Sequence, residues 1–542
     1  MITNLPNSGL FAPFAVIGFI RMISEDRKIT RAATTIGLGT LLSRILGFLR
    51  DMVIAHFFGA GMAADALFVA FRIPNLWRRL VGEGSLTISF IPVYTEYLTK
   101  RSEEETREVT HIAFTVAGII LLILTVIGIL FSPLLITIIA PGWATDSPEK
   151  FQLTIALNQI IFPYLFLMGL FALSMGILNS LRQFFAPAIA PIFLNISMIA
   201  SVFLFYHTFQ MPVMTLAVGV LAGGVIQFFF QIPFLWKQRV SFRFNFNYRH
   251  PAIKRIGSLM IPGLIGTAVY QINVFIDTIF ASFLPGGSVS YLYYADRLME
   301  FPLGIFAMAI GMASLPSLSE LASKGKTDDL KKTVSFTFRL VSFISIPALM
   351  GLIALKTPII NLLFQRGIFD YTATEKTAKA LLFYSIGLWA IAGSRTIVQA
   401  FYSLQDTRTP LKIGLICLGA NVIFNAMFIF PLQHAGLALA TSLSSILNLT
   451  LLFRKLGPKL GEMELGKNIR SLLSLTACSL PMGLAAYWIC SFGDWTTAGN
   501  GGEKVLLLGA AILVGLAIYL GGSYWMKNEE LLFLLRMLRK RK

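Results

Sequence analysis

The chain has 542 residues, of which 56% are hydrophobic and only 13% are charged, and its mean hydropathy is +0.72. Soluble domains carry roughly 25% charged residues, so this composition excludes a soluble globular protein and predicts an all-α protein that crosses the membrane many times. A net charge of +18 could suggest a nucleic-acid-binding protein. The basic residues lie in short loops between apolar segments, however, which favours a membrane protein without a nucleic-acid partner.

The first 30 residues are interpreted as an N-terminal extension. Residues 10–20 are apolar but too short to span a bilayer, and no clear signal-peptide cleavage site follows them. Two interpretations are open: an interfacial segment, or a gene start placed too early. We favour the second, with translation beginning at Met22.

Apolar windows of about 20 residues predict fourteen transmembrane helices. They lie near residues 33–57, 63–93, 110–140, 153–179, 185–208, 212–236, 256–284, 288–319, 335–363, 378–403, 410–430, 434–453, 470–492 and 504–526. Most Lys and Arg residues lie in alternate loops. The positive-inside rule places those loops and both termini in the cytoplasm.

Two parts of the chain resemble each other. AHFFGAGMAADALFVAFRIP at 55–74 aligns with ASFLPGGSVSYLYYADRLMEFP at 281–302, and ISFIPVYTEY at 88–97 aligns with MASLPSLSEL at 312–321. The copies begin six predicted spans apart and therefore have the same orientation. A parallel repeat of this kind predicts two six-helix lobes around a central cavity.

The predicted organisation follows chain order. Its segments are an N-terminal extension 1–30, an N-terminal lobe 31–236 (helices 1–6), a basic cytoplasmic linker 237–255, a C-terminal lobe 256–455 (helices 7–12), two further helices in 456–526, and a basic cytoplasmic tail 527–542. The linker interleaves basic residues with phenylalanines. Either this segment is basic only because cytoplasmic loops are generally basic, or it is amphipathic and binds the anionic lipid headgroups of the membrane surface.

The stretch 43–83 is apolar enough for a membrane and yet rich in charge. Its polar residues are Ser43, Arg44, Arg50, Asp51, Asp65, Arg72, Arg78, Arg79 and Glu83. Each charge at bilayer depth costs roughly 2.5–3.5 kcal/mol, so we expect these side chains to face a polar cavity. Arginine exceeds acid, and guanidinium groups suit phosphate and pyrophosphate, which predicts an anionic ligand. Internal ion pairs between the helices are the alternative, and both roles can coexist.

Two further polar groups lie within predicted spans. The second copy of the repeat places Asp296, Arg297 and Glu300 in the matching helix. Arg297 would then add an arginine from the second half of the chain to the polar cavity. Alternatively, it forms a local ion pair with Glu300 at i, i+3.

The other group comes from predicted helices 7, 11 and 12. Asp277 is mid-span, Asn421 and Asn425 share one helical face, and Thr441 is central in its helix. Together they could coordinate a monovalent cation or relay a proton, or simply form interhelical hydrogen bonds.

No enzyme is predicted. The sequence has no GxSxG, Walker A or HExxH motif, and its histidines do not cluster. It has no ATP-binding cassette, so transport would be driven by ions, membrane potential or a downstream sink.

Five motifs identify a family. They are SRxLGFxRD from Ser43, FGAGxxxDAxFVAFxxPNLxRRLxxEG from Phe58, GSVSYLYYADRLMEFPLGIF from Gly287, LFQRGxF at 363–369 and FYSLQDTRTPxKI at 401–413. Together they resemble the MurJ/MviN lipid II flippases of the multidrug/oligosaccharidyl-lipid/polysaccharide exporter superfamily.

The resemblance implies a fold and a function. The fold would be two six-helix lobes in a V, alternating between inward-open and outward-open states, with helices 13 and 14 forming a groove for an undecaprenyl tail. The substrate would be lipid II, moved from the inner to the outer leaflet of the bacterial plasma membrane for peptidoglycan synthesis and cell shape. Membrane lipids and cell-wall synthesis or division proteins would be further partners.

The resemblance also implies site residues by their match to the motifs. The substrate pyrophosphate and headgroup would be bound by Arg44, Arg50, Arg78, Arg297 and Ser43. Gating ion pairs would involve Asp51, Asp65, Arg72, Arg79, Glu83, Asp296 and Glu300.

Some family members bind sodium, and this would concern the polar group of helices 7, 11 and 12. The ligands would be Asp277, Asn421, Asn425, Thr441 and a carbonyl near Leu437. Asn425 stands where that pattern has an aspartate, so one ligand charge is lost. Sodium or proton coupling is left open, and no other cofactor is expected.

Three alternatives are weighed against the flippase. An exporter of another lipid-linked oligosaccharide or of drugs would share the fold, although cationic drugs would need cavity carboxylates rather than arginines. A membrane-embedded glycosyltransferase would need catalytic acids in external loops, which are short. A non-transporting cell-wall scaffold would not require basic residues inside spans.

Overall fold

The structure, a computed structural model, describes residues 27–77, 86–304, 308–461, 464–498 and 501–539. Every regular element within these ranges is a helix, which confirms the predicted all-α class. The helices are α1 Arg27–Phe58, α2 Met62–Trp77, α3 Leu86–Lys100, α4 Glu103–Leu130, α5 Ser132–Ile139, α6 Pro141–Asp146, α7 Pro148–Ile161, α8 Tyr164–Ser180, α9 Phe185–Phe205, α10 Met214–Lys237, α11 Pro251–Ser282, α12 Ser288–Pro302, α13 Met308–Ser323, α14 Thr327–Ala354, α15 Lys356–Phe364, α16 Tyr371–Ser403, α17 Arg408–Leu432, α18 His434–Leu460, α19 Leu465–Cys490, α20 Gly502–Trp525 and α21 Glu529–Arg539.

Ten helical segments among the described residues are long and apolar enough to cross a membrane. They are α4, α7 with α8, α9, α10, α14, α16, α17, α18, α19 and α20. The protein is therefore a multi-pass membrane protein. The predicted windows 33–57, 63–93, 256–284 and 288–319 are helical where described but are not among the ten. Of the helices in these windows, α2, α3, α12 and α13 are each too short to span a membrane alone. The count of fourteen spans stays a prediction.

Some predictions fall outside the described residues. These are the N-terminal extension up to residue 26, including Met22, and the side chains Arg78, Arg79 and Glu83.

The chain divides into two compact units that do not follow chain order. The first consists of Met1–Val53, Ala70–Ile136 and Gln152–Ala268. Its core includes Phe90 of α3, stacked on Tyr94 with ring centroids 5.1 Å apart, and packed with residues of α4, α8 and α10. A Cβ on Gly219 of α10 would lie 2.3 Å from the Ser201 hydroxyl of α9. Glycine therefore permits the close contact of these two helices.

The second unit consists of Ile54–Val69, Thr137–Phe151 and Val269–Lys542. One of its hydrophobic cores joins α14, α16 and α18 through residues such as Phe338, Phe401 and Leu452. The Gly387 amide of α16 donates to the Ser442 hydroxyl of α18 at 3.1 Å, so these two helices also touch closely. The segment boundaries predicted from the sequence follow chain order instead and stay a prediction.

A buried ion cluster secures the C-terminal end of the second unit. Arg339 of α14 is 5% exposed. Its Nε donates to Glu530 Oε1 at 3.1 Å, and its Nη2 donates to Glu529 Oε2 at 3.2 Å. Glu464, just before α19, lies 3.6 Å from the same guanidinium. The cluster therefore ties α14, α19 and the terminal helix α21 together.

We predict that Arg339→Met destabilises the protein. Removing one partner of a buried ion pair costs about 3–5 kcal/mol, because the other partner is left as an uncompensated charge. The melting temperature of the purified protein in detergent should fall by several degrees. Arg454→Met, at an exposed arginine of α18, is the matched control and should melt like the wild type. Equal melting temperatures for both variants would contradict this role.

Candidate functional site

The polar face of α1 is held by a bridge to α9 within the first unit. Arg50 donates from Nε and Nη2 to Asp51 Oδ1 at 3.0 and 2.7 Å. Its Nη1 donates to Asn195 Oδ1 at 3.1 Å, and Asn195 Nδ2 donates to the Ser43 carbonyl at 3.1 Å. Arg50 is 6% and Asp51 1% exposed. This arginine is therefore fixed inside the unit, whereas Arg44 on the same helix is only half-buried.

Asp65, on α2, accepts four hydrogen bonds within the second unit. Its Oδ2 accepts from Lys150 Nζ at 3.0 Å and from the Gly287 amide at 2.8 Å. Its Oδ1 accepts from the amide and the hydroxyl of Ser290 at 2.9 and 2.7 Å. The carboxylate thus caps the first turn of α12, where unsatisfied amides and the helix dipole favour an anion.

The surroundings of Asp65 keep water out. Lys150 is buried beside it, and the ammonium lies 4.5 Å from the centre of the Trp143 ring. Gly287 has φ +91°, and a Cβ there would lie 2.6 Å from the Ala60 carbonyl oxygen. Only glycine satisfies both the left-handed backbone and this close approach without strain.

Two further contacts hold residues 54–69 within the second unit. The Tyr294 hydroxyl of α12 donates to the Gly59 carbonyl at 3.2 Å. The Ile368 amide, in the loop after α15, donates to the His56 carbonyl at 3.0 Å. The loop end of the α1–α2 hairpin is therefore attached to α12 and to the loop after α15, and Asp65 supplies the charged part of this attachment.

Arg297 of α12 is partly exposed. Its Nη2 donates to the Tyr293 hydroxyl at 3.1 Å, and its guanidinium lies 5.1 Å from the centre of that ring. The expected i, i+3 contact with Glu300 is present at 3.6 Å, with about a third of both side chains exposed (32% and 29%). Phe68 stacks on Tyr293 at 3.8 Å. The arginine is thus positioned by Tyr293, which itself stacks on Phe68.

Asp277, Asn425 and Thr441 meet in the second unit, as the sequence suggested. Asn425 Nδ2 donates to Asp277 Oδ1 at 2.7 Å and to Asn421 Oδ1 at 2.9 Å. The Thr441 hydroxyl lies 3.2 Å from Asp277 Oδ2 and 3.1 Å from the Leu437 carbonyl. Interhelical hydrogen bonds thus join α11, α17 and α18.

The motif FYSLQDTRTPxKI forms the turn between α16 and α17. Asp406 accepts from Lys459 Nζ at 2.5 Å and from the Thr409 amide at 3.0 Å. Burial would raise the pKa of Asp406, but these hydrogen bonds outweigh burial and hold the pKa below its usual range. The carboxylate is therefore charged at neutral pH and ties this turn to α18.

Comparison with known proteins identifies the family. The family model for "Lipid II flippase MurJ" matches residues 54–500. The chain belongs to the MurJ family of lipid II flippases. It is therefore a member of a transporter family rather than an enzyme family.

Curated relatives extend this match to nearly the whole chain. A "Probable lipid II flippase MurJ" of Vibrio cholerae is 37% identical over 505 residues, which cover 92% of this chain and 96% of the relative. A "Lipid II flippase MurJ" of Burkholderia cenocepacia is 33% identical, with coverages of 91% and 96%. These similarities favour the flippase over the alternative functions.

Solved structures agree on the fold. The structure "Lipid II flippase MurJ, inward closed conformation" has a TM-score of 0.77 and 28% identity, covering 91% of this chain and 99% of that chain. An inward-facing multidrug resistance MATE family transporter of the MOP superfamily has a TM-score of 0.65 over 83% of this chain and 99% of its own. With only 14% identity, the MATE similarity concerns the fold alone.

Three polar partners were missed by sequence reasoning. The sequence patterns single out none of Lys150, Asn195 and Ser290. Their partners are far away in the sequence, so no local spacing could reveal them. The one available signal was the position of Ser290 at the start of the repeated helix that follows the Gly-Gly turn.

We predict strong energetic coupling between Asp65 and Lys150. Lys150→Met and Asp65→Asn would each leave a buried charge without its counter-ion, and each should cost about 3–5 kcal/mol of stability. The double variant buries neither charge, so its loss should be clearly smaller than the sum of the single losses. Melting of the purified variants measures this.

The control for this cycle is Lys379→Met, at an exposed lysine of α16. Alone it should change the stability little, and combined with Asp65→Asn its effect on stability should be additive. Simple additivity of Lys150→Met and Asp65→Asn would show that the buried pair has no special role.

Proposed function

We propose that this chain moves lipid II from the inner to the outer leaflet of the bacterial plasma membrane by alternating access. Family membership over nearly the whole chain supports the substrate. The observation that carries the mechanism is Arg297, a partly exposed arginine held in place by Tyr293 and Glu300. A guanidinium in this state can bind a pyrophosphate without breaking a buried ion pair.

The arginines are proposed to have different tasks. Arg44 in the first unit and Arg297 in the second each contact the pyrophosphate at some stage of transport, because both are partly exposed. Arg50 is buried against Asp51 and Asn195, so its main task is to fix the polar face of α1. Arg78 is proposed as a headgroup ligand on the motif match alone.

The Asp65 contacts are proposed to act as a latch in the transport cycle. Asp65 accepts hydrogen bonds from Lys150, Gly287 and Ser290, and in the predicted topology this end of α2 lies on the external side. Releasing these contacts would free the segment 54–69 from α12. A buried ion pair suits such a switch because it is stable when complete and costly when partly broken.

The lipid tail is proposed to run along α19 and α20. Both helices expose large apolar side chains, including Leu473, Leu484, Leu506 and Leu513, and these suit a polyprenyl chain as well as bilayer lipid. We also propose the inner membrane as the location, both termini in the cytoplasm, and cell-wall synthesis or division proteins as partners.

Charge reversal tests the proposed anion binding. Arg297→Glu and Arg44→Glu should each abolish complementation of a flippase-depleted strain, because a carboxylate repels the pyrophosphate. Membrane insertion, measured by immunoblotting of the membrane fraction, should be unchanged. Arg454→Glu is the exposed control and should complement. Normal growth of both reversed variants would overturn the assignment.

Depletion distinguishes transport from scaffolding. If the chain is a flippase, lipid II should accumulate in the inner leaflet when the protein is depleted, and the outer-leaflet pool should fall. An outer-leaflet pool unchanged by depletion would favour the scaffold.

A further inference from the structure

The polar junction of α11, α17 and α18 bears on the sodium site that the family resemblance implies. A cation site needs several oxygen atoms that converge with their lone pairs free. Here the oxygens of Asp277 and Asn421 converge, but a nitrogen lies between them. Asn425 Nδ2 is 2.7 Å from Asp277 Oδ1 and 2.9 Å from Asn421 Oδ1.

The amide nitrogen of Asn425 therefore lies where a bound cation would lie. Its two N–H bonds are directed at the two oxygens that a cation would need. The Thr441 hydroxyl is within 3.2 Å of the second Asp277 oxygen. Asp277 Oδ1 thus already has an N–H donor, and the single proton of the Thr441 hydroxyl is shared between Asp277 Oδ2 and the Leu437 carbonyl. The residues present therefore do not fit a bound sodium ion.

The orientation of the Asn425 amide follows from electrostatics. With nitrogen inward, a charge-assisted hydrogen bond forms to the Asp277 carboxylate. With oxygen inward, two acceptors would face each other across the same gap. The inward nitrogen leaves Asn425 Oδ1 and Asn421 Nδ2 buried without hydrogen-bond partners among the described residues. Leaving these two atoms unpaired is unfavourable, so the hydrogen bonds from Asn425 to Asp277 and Asn421 must contribute more than this loss.

We propose that Asn425 is a built-in replacement for a cation, so that this chain binds no sodium at the junction. The N–H groups of Asn425 supply the positive potential that a sodium ion would supply between Asp277 and Asn421. The three helices α11, α17 and α18 are then held together under all ionic conditions. If the chain is a flippase, as proposed above, its transport of lipid II then does not depend on sodium.

The test is thermal melting of the purified full-length chain in detergent, in sodium, potassium and choline chloride at equal ionic strength. The wild type should melt at the same temperature in all three salts. Asn425→Asp removes the inward N–H groups and adds a second carboxylate. Sodium should then raise the melting temperature of this variant by several degrees over choline, in a concentration-dependent manner, because a ligand of the folded state stabilises it.

Three further variants locate the effect. Asp277→Asn combined with Asn425→Asp restores a single carboxylate and should lose most of the sodium response. Ser444→Ala, outside the junction, should keep the wild-type insensitivity to the choice of salt. Asn425→Leu, which supplies neither donor nor charge, should melt lower than the wild type in every salt.

Two results would overturn the proposal. One is a sodium-specific stabilisation of the wild type that Asp277→Asn abolishes, which would mean that the amide turns to admit the ion. The other is an Asn425→Asp variant that melts alike in sodium and choline. The wild-type comparison needs no variant, so a variant that fails to fold does not prevent the decision. The melting experiment does not involve lipid II. It can therefore contradict the sodium proposal while the charge-reversal experiment still supports the proposed flippase function.

Discussion

A charge buried in a membrane protein must have a partner, and this requirement organises the described part of the chain. The cost of an isolated charge at bilayer depth is several kcal/mol, comparable to a large part of the total stability of a domain. Arg50 is therefore paired with Asp51, Asp65 with Lys150, and Arg339 with Glu530. Apolar packing fills the space between helices, but it does not specify which helices meet.

Two of these pairs, Asp65–Lys150 and Arg339–Glu530, connect distant parts of the sequence, and this gives them a mechanical meaning. Asp65 joins the end of the first helical hairpin to α12 and to the start of α7. Arg339 joins the centre of the second unit to the last helix. Each connection is complete only in one geometry, since a shift of a few ångströms leaves a charge unpaired. Such contacts favour discrete states over gradual deformation, which is what a transporter with alternating access requires.

The contrast among the arginines bears directly on transport. Arg50 and Arg339 are buried and donate to acceptors on neighbouring side chains, whereas Arg297 is about a third exposed and lies beside the Tyr293 ring and the Glu300 carboxylate, which is also about a third exposed. In the proposed mechanism, the partly exposed arginines bind the substrate, and the buried arginines hold the helices together.

Local chemistry and apolar periodicity were enough to predict the helical class, most helix positions, the membrane location and the motifs of the family. Sequence spacing also predicted the contact between Arg297 and Glu300, which are three residues apart on one helix. The contact between Asp277 and Asn425 was predicted because both are polar residues within apolar helices. Lys150, Asn195 and Ser290 could not be found in this way. Their partners are brought near only by tertiary folding, and a lysine in a short loop has the same local pattern whether it is solvated or buried. For the same reason, only the tertiary structure placed the Asn425 nitrogen between the side-chain oxygens of Asp277 and Asn421.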